Sequence, residues 1–330
     1  MSAIGDDGSI RWSEASVLVT GGTGSFGHVF VQTMLERHQP RRLVIFSRDE
    51  LKQSEMEKRF AHPSLRYFIG DVRDRDRLQR AMHGVDVVFH AAALKQIPAC
   101  EYNPFEAIQT NVLGAKNVID AAIDQGVQRV IGISSDKACQ PLNLYGATKL
   151  CAEKLFVQGN AYGHPRGTAF SVVRYGNVIG SRGSVIPLFA AQRASGRVTV
   201  TDRAMTRFWI RLEQGVGFAI RCAELMRGGE IFVPKIPSMR IMDLVAAVAP
   251  DCDVEDIGIR PGEKLHEILM SEDESRQALE LDRMFVIEPL YPSWSFRPWE
   301  GGKRPARGFR YSSDANNAWL SRDEMKELAG

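Results

Sequence analysis

The chain has 330 residues, with 42 Lys and Arg against 40 Asp and Glu, a net charge of +2, and 44% hydrophobic and 25% charged residues. That length can bury one large core or two moderate ones, and the composition is that of an ordinary soluble globular protein. The near-neutral balance, with no dense Lys/Arg block, argues against a nucleic-acid partner, and no run of about 18 apolar residues is present to span a bilayer.

The opening stretch MSAIGDDGSIRWSEAS lacks the apolar core of a signal peptide. The five cysteines (Cys100, Cys139, Cys151, Cys222 and Cys252) are odd in number and have no paired metal-ligand spacing. Reduced thiols in a bacterial-type cytoplasm and no metal site are therefore expected.

Short apolar, β-branched runs then alternate with helical stretches. VLVT (17–20), RLVIFS (42–47), RYFIGD (66–71), VDVVFHAA (85–92), RVIGISS (129–135) and FSVVRYGNV (170–178) read as strands. They are apolar on both faces, as strands between two helix layers must be. Helices are expected near 25–37, 73–83, 105–125 and 146–161, the second a solvated charged helix built on RDRDRLQR (73–80). This order predicts an α/β fold with a Rossmann-type doubly wound parallel sheet over residues 14–178. A helix near 213–227 and the strand EIFVP (230–234) return to that sheet, so 208–236 belongs with it. Residues 179–207 and 237–330 are left as a smaller, discontinuous substrate domain, and no internal repeat is evident.

VLVTGGTGSFG sets Gly21, Gly24 and Gly27 directly after the first strand and at the start of a helix. Glycine permits the tight turn and lets backbone approach a pyrophosphate at the positive helix end. The end of the second strand selects the dinucleotide. SRDELK puts Ser47 and Arg48 where an NAD enzyme carries Asp or Glu, with Lys52 one turn on and Asp49 one step late. A hydroxyl and a guanidinium suit a 2′-phosphate, which favours NADP. Asp71 and Val72 in GDV read either as an adenine contact or as a plain strand-end turn.

The stretch SSDKACQPLNLYGATK (134–149) ends in Tyr145 and Lys149, four apart on one helix face. A lysine so placed, beside a positive nicotinamide, is expected to favour the phenolate form of the tyrosine. The phenolate would take a hydroxyl proton while hydride leaves the same carbon.

The combination TGGTGSFG, FHAAA, SSDKAC and YGATK resembles the extended short-chain dehydrogenase/reductase superfamily. More narrowly, SRDELKQ, RYFIGDVRD, YNPFEAIQTNVLGAKNVIDAA, NLYGATK, VVRYGNVIGSRGSVIP, MTRFWI and GIRPGEKLHE resemble the inverting UDP-N-acetylglucosamine 4,6-dehydratases, over nearly the whole chain. Those enzymes oxidise the sugar at C4, lose water across C5 and C6, and return the hydride to C6 in pathways to pseudaminic acid and related capsule sugars.

The resemblance implies Ser135 on the C4 oxygen, Asp136 as acid toward the C6 oxygen and Lys137 as C5 base, in addition to Tyr145 and Lys149. Lys137 must be partly neutral for that role; the plainer reading is that it only pairs with Asp136 or a substrate oxygen, and Tyr145 is an alternative for C5 proton exchange. NADP would be held by Gly21, Thr23, Gly24, Ser25, Phe26, Gly27, Ser47, Arg48, Lys52, Asp71, Val72, Ala91, Ala92, Ala93, Lys95, Tyr145 and Lys149. The UDP-sugar would be held by Lys95, Asn177, Arg182, Ser184, Val185, Thr199, Arg260 and Glu263, the arginines on phosphates and Glu263 on ribose hydroxyls. Phe208 and Trp209 either line this pocket or belong to the core.

The chain departs from the family pattern with Ser135 for Thr, and with Leu94-Lys95-Gln96 for Met-Lys-His, which touches substrate recognition more than reaction type. Homo-oligomers, from dimer to hexamer, are also implied. A UDP-hexosamine 4-epimerase, a C5-retaining 4,6-dehydratase and a catalytically silent NADP-binding sensor are the competing readings. An epimerase has no use for an acid at C6, and a silent sensor would not need the Tyr/Lys pair.

Overall fold

The computed structural model describes residues 3–5, 8–180 and 185–329. Its main sheet holds β1 (Ser16–Thr20), β2 (Arg42–Ser47), β3 (Leu65–Ile69), β4 (Val87–His90), β5 (Arg129–Ser135), β6 (Ala169–Tyr175), β7 (Ile231–Pro234), β8 (Ala278–Glu280) and β9 (Met284–Ile287). The order is β8-β9-β7-β6-β5-β4-β1-β2-β3. From β7 to β3 every pairing is parallel, and β9 joins β7 and β8 antiparallel. β1 and β4 are buried along their whole length, because helices cover both faces of the sheet. Strand order reverses between β1 and β4, and the crevice beyond the carboxyl ends of these strands is where doubly wound sheets bind ligands.

Several elements differ from expectation. The helix Glu50–Arg59 was not anticipated, because only Gln53 and Met56 of its residues are buried and it has no apolar stripe. Its marker is Asp49, whose side chain caps it by accepting from the Lys52 amide at 3.0 Å. The helix expected at 105–125 is Pro104–Ile108 and Gly114–Gln125 joined by a π turn at Gln109–Leu113.

The strand expected at 170–178 breaks at Gly176, where a Cβ would lie 2.6 Å from the Cβ of Phe208. Asn177–Val178 instead pairs with the strand Thr206–Ile210 in a separate three-stranded sheet. The assignment of all of 237–330 to the smaller domain is also corrected. β8 and β9 extend the main sheet, and Ala278, Phe285 and Val286 enter its core.

A second buried cluster gathers Phe189, Val198, Leu244 and Met325 around Trp209. Along Thr206–Ile210 the side chains alternate, so Phe208 enters the main core and its neighbour Trp209 the second. Both aromatics are therefore core, while Met205 and Arg207 of the same motif face the cleft.

Beneath the cleft the fully buried Arg174 of β6 binds Glu153 at 2.6 Å and Glu274 at 2.8 Å and donates to the Leu269 carbonyl at 3.0 Å. It thereby ties the segment 269–274 to the sheet and to the helix Leu144–Gly163.

Candidate active site

The first β–α turn is built by what its glycines lack. Gly21 sits at φ +65°, and a Cβ there would lie 2.9 Å from the Ala92 backbone. At Gly27 a Cβ would collide with the Gly22 carbonyl, so Gly27 serves the packing of the helix Ser25–Thr33 on its own turn and does not line the cleft. Thr23, Gly24, Ser25 and Phe26 do line it, at that helix N-terminus. The cradle fits a dinucleotide pyrophosphate, which needs close backbone approach and a positive helix end.

Ser47, Arg48, Lys52, Asp71 and Val72 line the same end of the cleft. The Ser47 hydroxyl accepts from Gln53 at 3.0 Å, and Arg48, half-exposed, stands 3.5 Å from Asp71. Asp71 is held more closely by Arg73 at 2.7 Å. Asp49 also lines this end, with its carboxylate engaged in the helix cap and paired with Lys52 at 2.6 Å.

Beyond β4, Ala91, Ala92, Ala93 and Lys95 line the cleft wall. Thr20 holds this loop, meeting His90 at 2.8 Å and accepting from the Ala92 amide at 3.2 Å. Burial pushes His90 down to about 3, so its ring is neutral. Sequence reasoning missed Asn111, in the π turn. Its side chain accepts from the Leu94 amide and donates to the Leu94 carbonyl, both at 2.8 Å, and donates to Thr148 at 2.9 Å. Only its place in the QTNVLGAKN helix could have drawn notice, since the loop it braces lies 17 residues away.

Asn143 caps the helix Leu144–Gly163 by accepting from the Gly146 amide at 2.8 Å, and this helix carries Tyr145 and Lys149 into the cleft one turn apart. Lys149 donates to the Ile133 carbonyl at 2.6 Å, and burial pushes its amine down to about 8. Burial pushes the Tyr145 phenol up to about 12. Lys137 and Ser135 pull it the other way, so Lys137 is one cation that favours phenolate here.

Ser135 donates to Asp136 at 2.8 Å. The Lys137 amine donates to Asp136 Oδ1 at 2.9 Å and Asn177 Oδ1 at 3.0 Å and lies 3.3 Å from Glu267 Oε1. Burial alone would pull the Lys137 pKa down, but Asp136 and Glu267 outweigh it and raise it above the ordinary lysine value. The expectation of a partly neutral Lys137 is thereby corrected, because it faces two carboxylates at once. Burial raises the Asp136 pKa, and Glu267 adds to the effect, so this carboxyl is the one disposed to carry a proton. Glu267 was not singled out in the sequence, although it ends the GIRPGEKLHE motif.

Val185, Thr199, Arg260 and Glu263 line the far side of the cleft. The Thr199 hydroxyl accepts from Gln192 at 2.9 Å, and Arg260 stands 3.9 Å from Glu263, whose second carboxylate oxygen is buried without a partner among the described residues. Asn177 also lines the cleft, but its side-chain oxygen is engaged with Lys137. Arg182 and Ser184 lie outside the described residues. Among the described residues, no group of His, Cys, Asp and Glu could hold a metal ion, and no helix is long and apolar enough to cross a membrane.

A family model described as polysaccharide biosynthesis protein matches residues 17–289. The chain is 50% identical over 326 residues to the UDP-N-acetylglucosamine 4,6-dehydratase (inverting) of Campylobacter jejuni, covering 96% of this chain and 98% of that one. It is 42% identical over 325 residues to the UDP-glucose 4-epimerase of Rickettsia conorii, covering 96% and 95%. Among solved structures, Pen from Bacillus thuringiensis matches with a TM-score of 0.87 and 41% identity, covering 97% of this chain and 99% of that one. DesIV, a dTDP-glucose 4,6-dehydratase from Streptomyces venezuelae with NAD and TYD bound, matches with a TM-score of 0.67 and 25% identity, covering 76% and 86%.

Proposed function

The chain belongs to the polysaccharide biosynthesis protein family, and from that membership we propose that it is an NADP-dependent UDP-N-acetylglucosamine 4,6-dehydratase that inverts C5. The observation that carries this reading is the Asp136–Lys137 pair in the same cleft as Tyr145 and Lys149. Oxidation at C4 needs only the Tyr/Lys pair, whereas loss of water across C5 and C6 needs an added acid and a second proton-handling group.

When bound, oxidised NADP accepts hydride from C4 and returns it to C6, so no net oxidation occurs. Tyr145 takes the C4 hydroxyl proton, and the Ser135 hydroxyl steadies the C4 oxygen. The C4 ketone acidifies the C5 proton. Asp136, whose pKa burial raises, donates a proton to the C6 oxygen as it leaves as water. Lys137 is assigned to C5: passing its proton to the Asp136 carboxylate, 2.9 Å away, would free the amine to take the C5 proton and leave Asp136 as the acid, and return of a proton from Tyr145 on the opposite face would invert that centre. Ser47 and Arg48 support NADP over NAD, because a hydroxyl and an exposed guanidinium stand at the end of β2 while Asp49 is committed to its cap. Arg260 and Glu263 are assigned to the nucleotide diphosphate and ribose. The proposal includes the cytoplasmic location read from the unpaired cysteines and the homo-oligomeric assembly that the resemblance implies.

The epimerase reading retains one supporting observation, the match to a 4-epimerase over nearly the full chain. Proton NMR of the purified protein with UDP-N-acetylglucosamine in heavy water, without added reductant, separates the two. A new C6 methyl signal with deuterium at C5 is the expected result, and the ring couplings report inversion or retention. An intact C6 with UDP-N-acetylgalactosamine appearing would establish the epimerase instead.

A further inference from the structure

Glu267 reaches the active site from a segment more than a hundred residues beyond Lys137, and its backbone is pinned there on both sides. Its amide donates to the Ser313 hydroxyl at 2.9 Å, and its carbonyl accepts from the Ser313 amide at 2.8 Å. The carboxylate is 4% exposed, with Oε1 3.3 Å from Lys137 and 3.8 Å from Arg207, while Oε2 is buried without a partner among the described residues. An ammonium group has three hydrogens to donate. Two of those of Lys137 go to Asp136 and Asn177, and the amine stands within ion-pair distance of Glu267, 3.3 Å away.

We propose that Glu267 is a positioning residue for the dehydration step, the carboxylate whose ion pair with the Lys137 ammonium fixes where its nitrogen points. Its catalytic consequence rests on the dehydratase reading, while its effect on Lys137 does not. The charged and titratable groups facing Lys137 are Asp136, Glu267, Arg207 and Tyr145, and Lys264 faces Glu267. With the Glu267 charge removed, Arg207 would stand beside Lys137 uncompensated, and the amine would hold its proton less tightly.

The test compares wild type with Glu267→Gln. The Lys137 side-chain nitrogen, assigned in 15N-lysine NMR spectra with Lys137→Met, should titrate about one pH unit or more lower in the Gln variant. C6 methyl formation should slow about tenfold or more, with UDP affinity by calorimetry unchanged. An unmoved Lys137 titration overturns the proposal. So does an equal loss of UDP affinity and turnover, the mark of a purely structural residue. Should the Gln variant fail to fold, Glu267→Asp keeps the charge but withdraws it by one methylene. Slower methyl formation with unchanged UDP affinity then supports the proposal, and wild-type turnover overturns it. If wild type forms no methyl product, the dehydratase reading falls, while the Lys137 titration still decides the placement.

Discussion

Burial pushes the Tyr145 phenol up to about 12, so the group proposed to open the reaction starts protonated and needs positive charge nearby to become a base. Lys137 supplies some of that charge, so the groups proposed for oxidation and for dehydration are electrically linked through one cation. Tyr145→Phe should cut C4 oxidation by about 10²–10⁴-fold while leaving dinucleotide affinity nearly unchanged. Stopped-flow absorbance of the bound cofactor after mixing with sugar nucleotide, together with dinucleotide titration, checks both halves. At this scale the residue types were readable in the sequence, because SSDK and YGATK are contiguous. Their protonation was not, since it depends on Glu267 and on burial, neither of which is local.

The helix Leu144–Gly163 and the short turn Asp136–Ala138 meet at Gly146, where an added Cβ would collide with the Lys137 carbonyl and lie 3.0 Å from Pro141. Gly146 therefore sets the separation of the Tyr/Lys helix from the Asp/Lys turn, although it reads as an ordinary residue of the YGATK motif. Gly146→Ala must move one element against the other. It should cost about 1–3 kcal/mol of stability and slow dehydration more than it weakens dinucleotide binding. Thermal unfolding with product NMR would detect this, and an unchanged melting temperature with full turnover would refute the account. The helix at 50–59 and the break at Gly176 escaped sequence reading for opposite reasons. The first has no apolar stripe to detect, and the second interrupts a continuous apolar run because Phe208 packs against the backbone.

Across the whole molecule, Arg174 clamps three parts of the chain through Glu153, Glu274 and the Leu269 carbonyl. Burial raises the Glu274 carboxyl, but Arg174 and its hydrogen bonds outweigh it and hold it at about 2, against an ordinary 4.5. A depressed carboxyl pKa stabilises the fold fully above the ordinary value and loses that contribution as pH falls toward the folded value. Glu274→Gln should therefore cost about 2–3 kcal/mol near neutral pH, and its deficit should shrink as pH falls below about 4.5. Urea unfolding of both proteins across that range is the measurement, and a deficit independent of pH would remove the clamp from the stability account.

The sequence by itself determined the doubly wound sheet, the dinucleotide turn and the Tyr145, Lys149, Asp136 and Lys137 set. Each of these is written in adjacent residues whose spacing follows strand and helix geometry. Only the tertiary structure brought Glu267, Asn177 and Asn111 to these motifs, sent β8 and β9 back into the main sheet, and set the Lys137 amine between Asp136, Asn177 and Glu267. Those outcomes depend on burial and on contacts between distant segments, which local spacing does not encode.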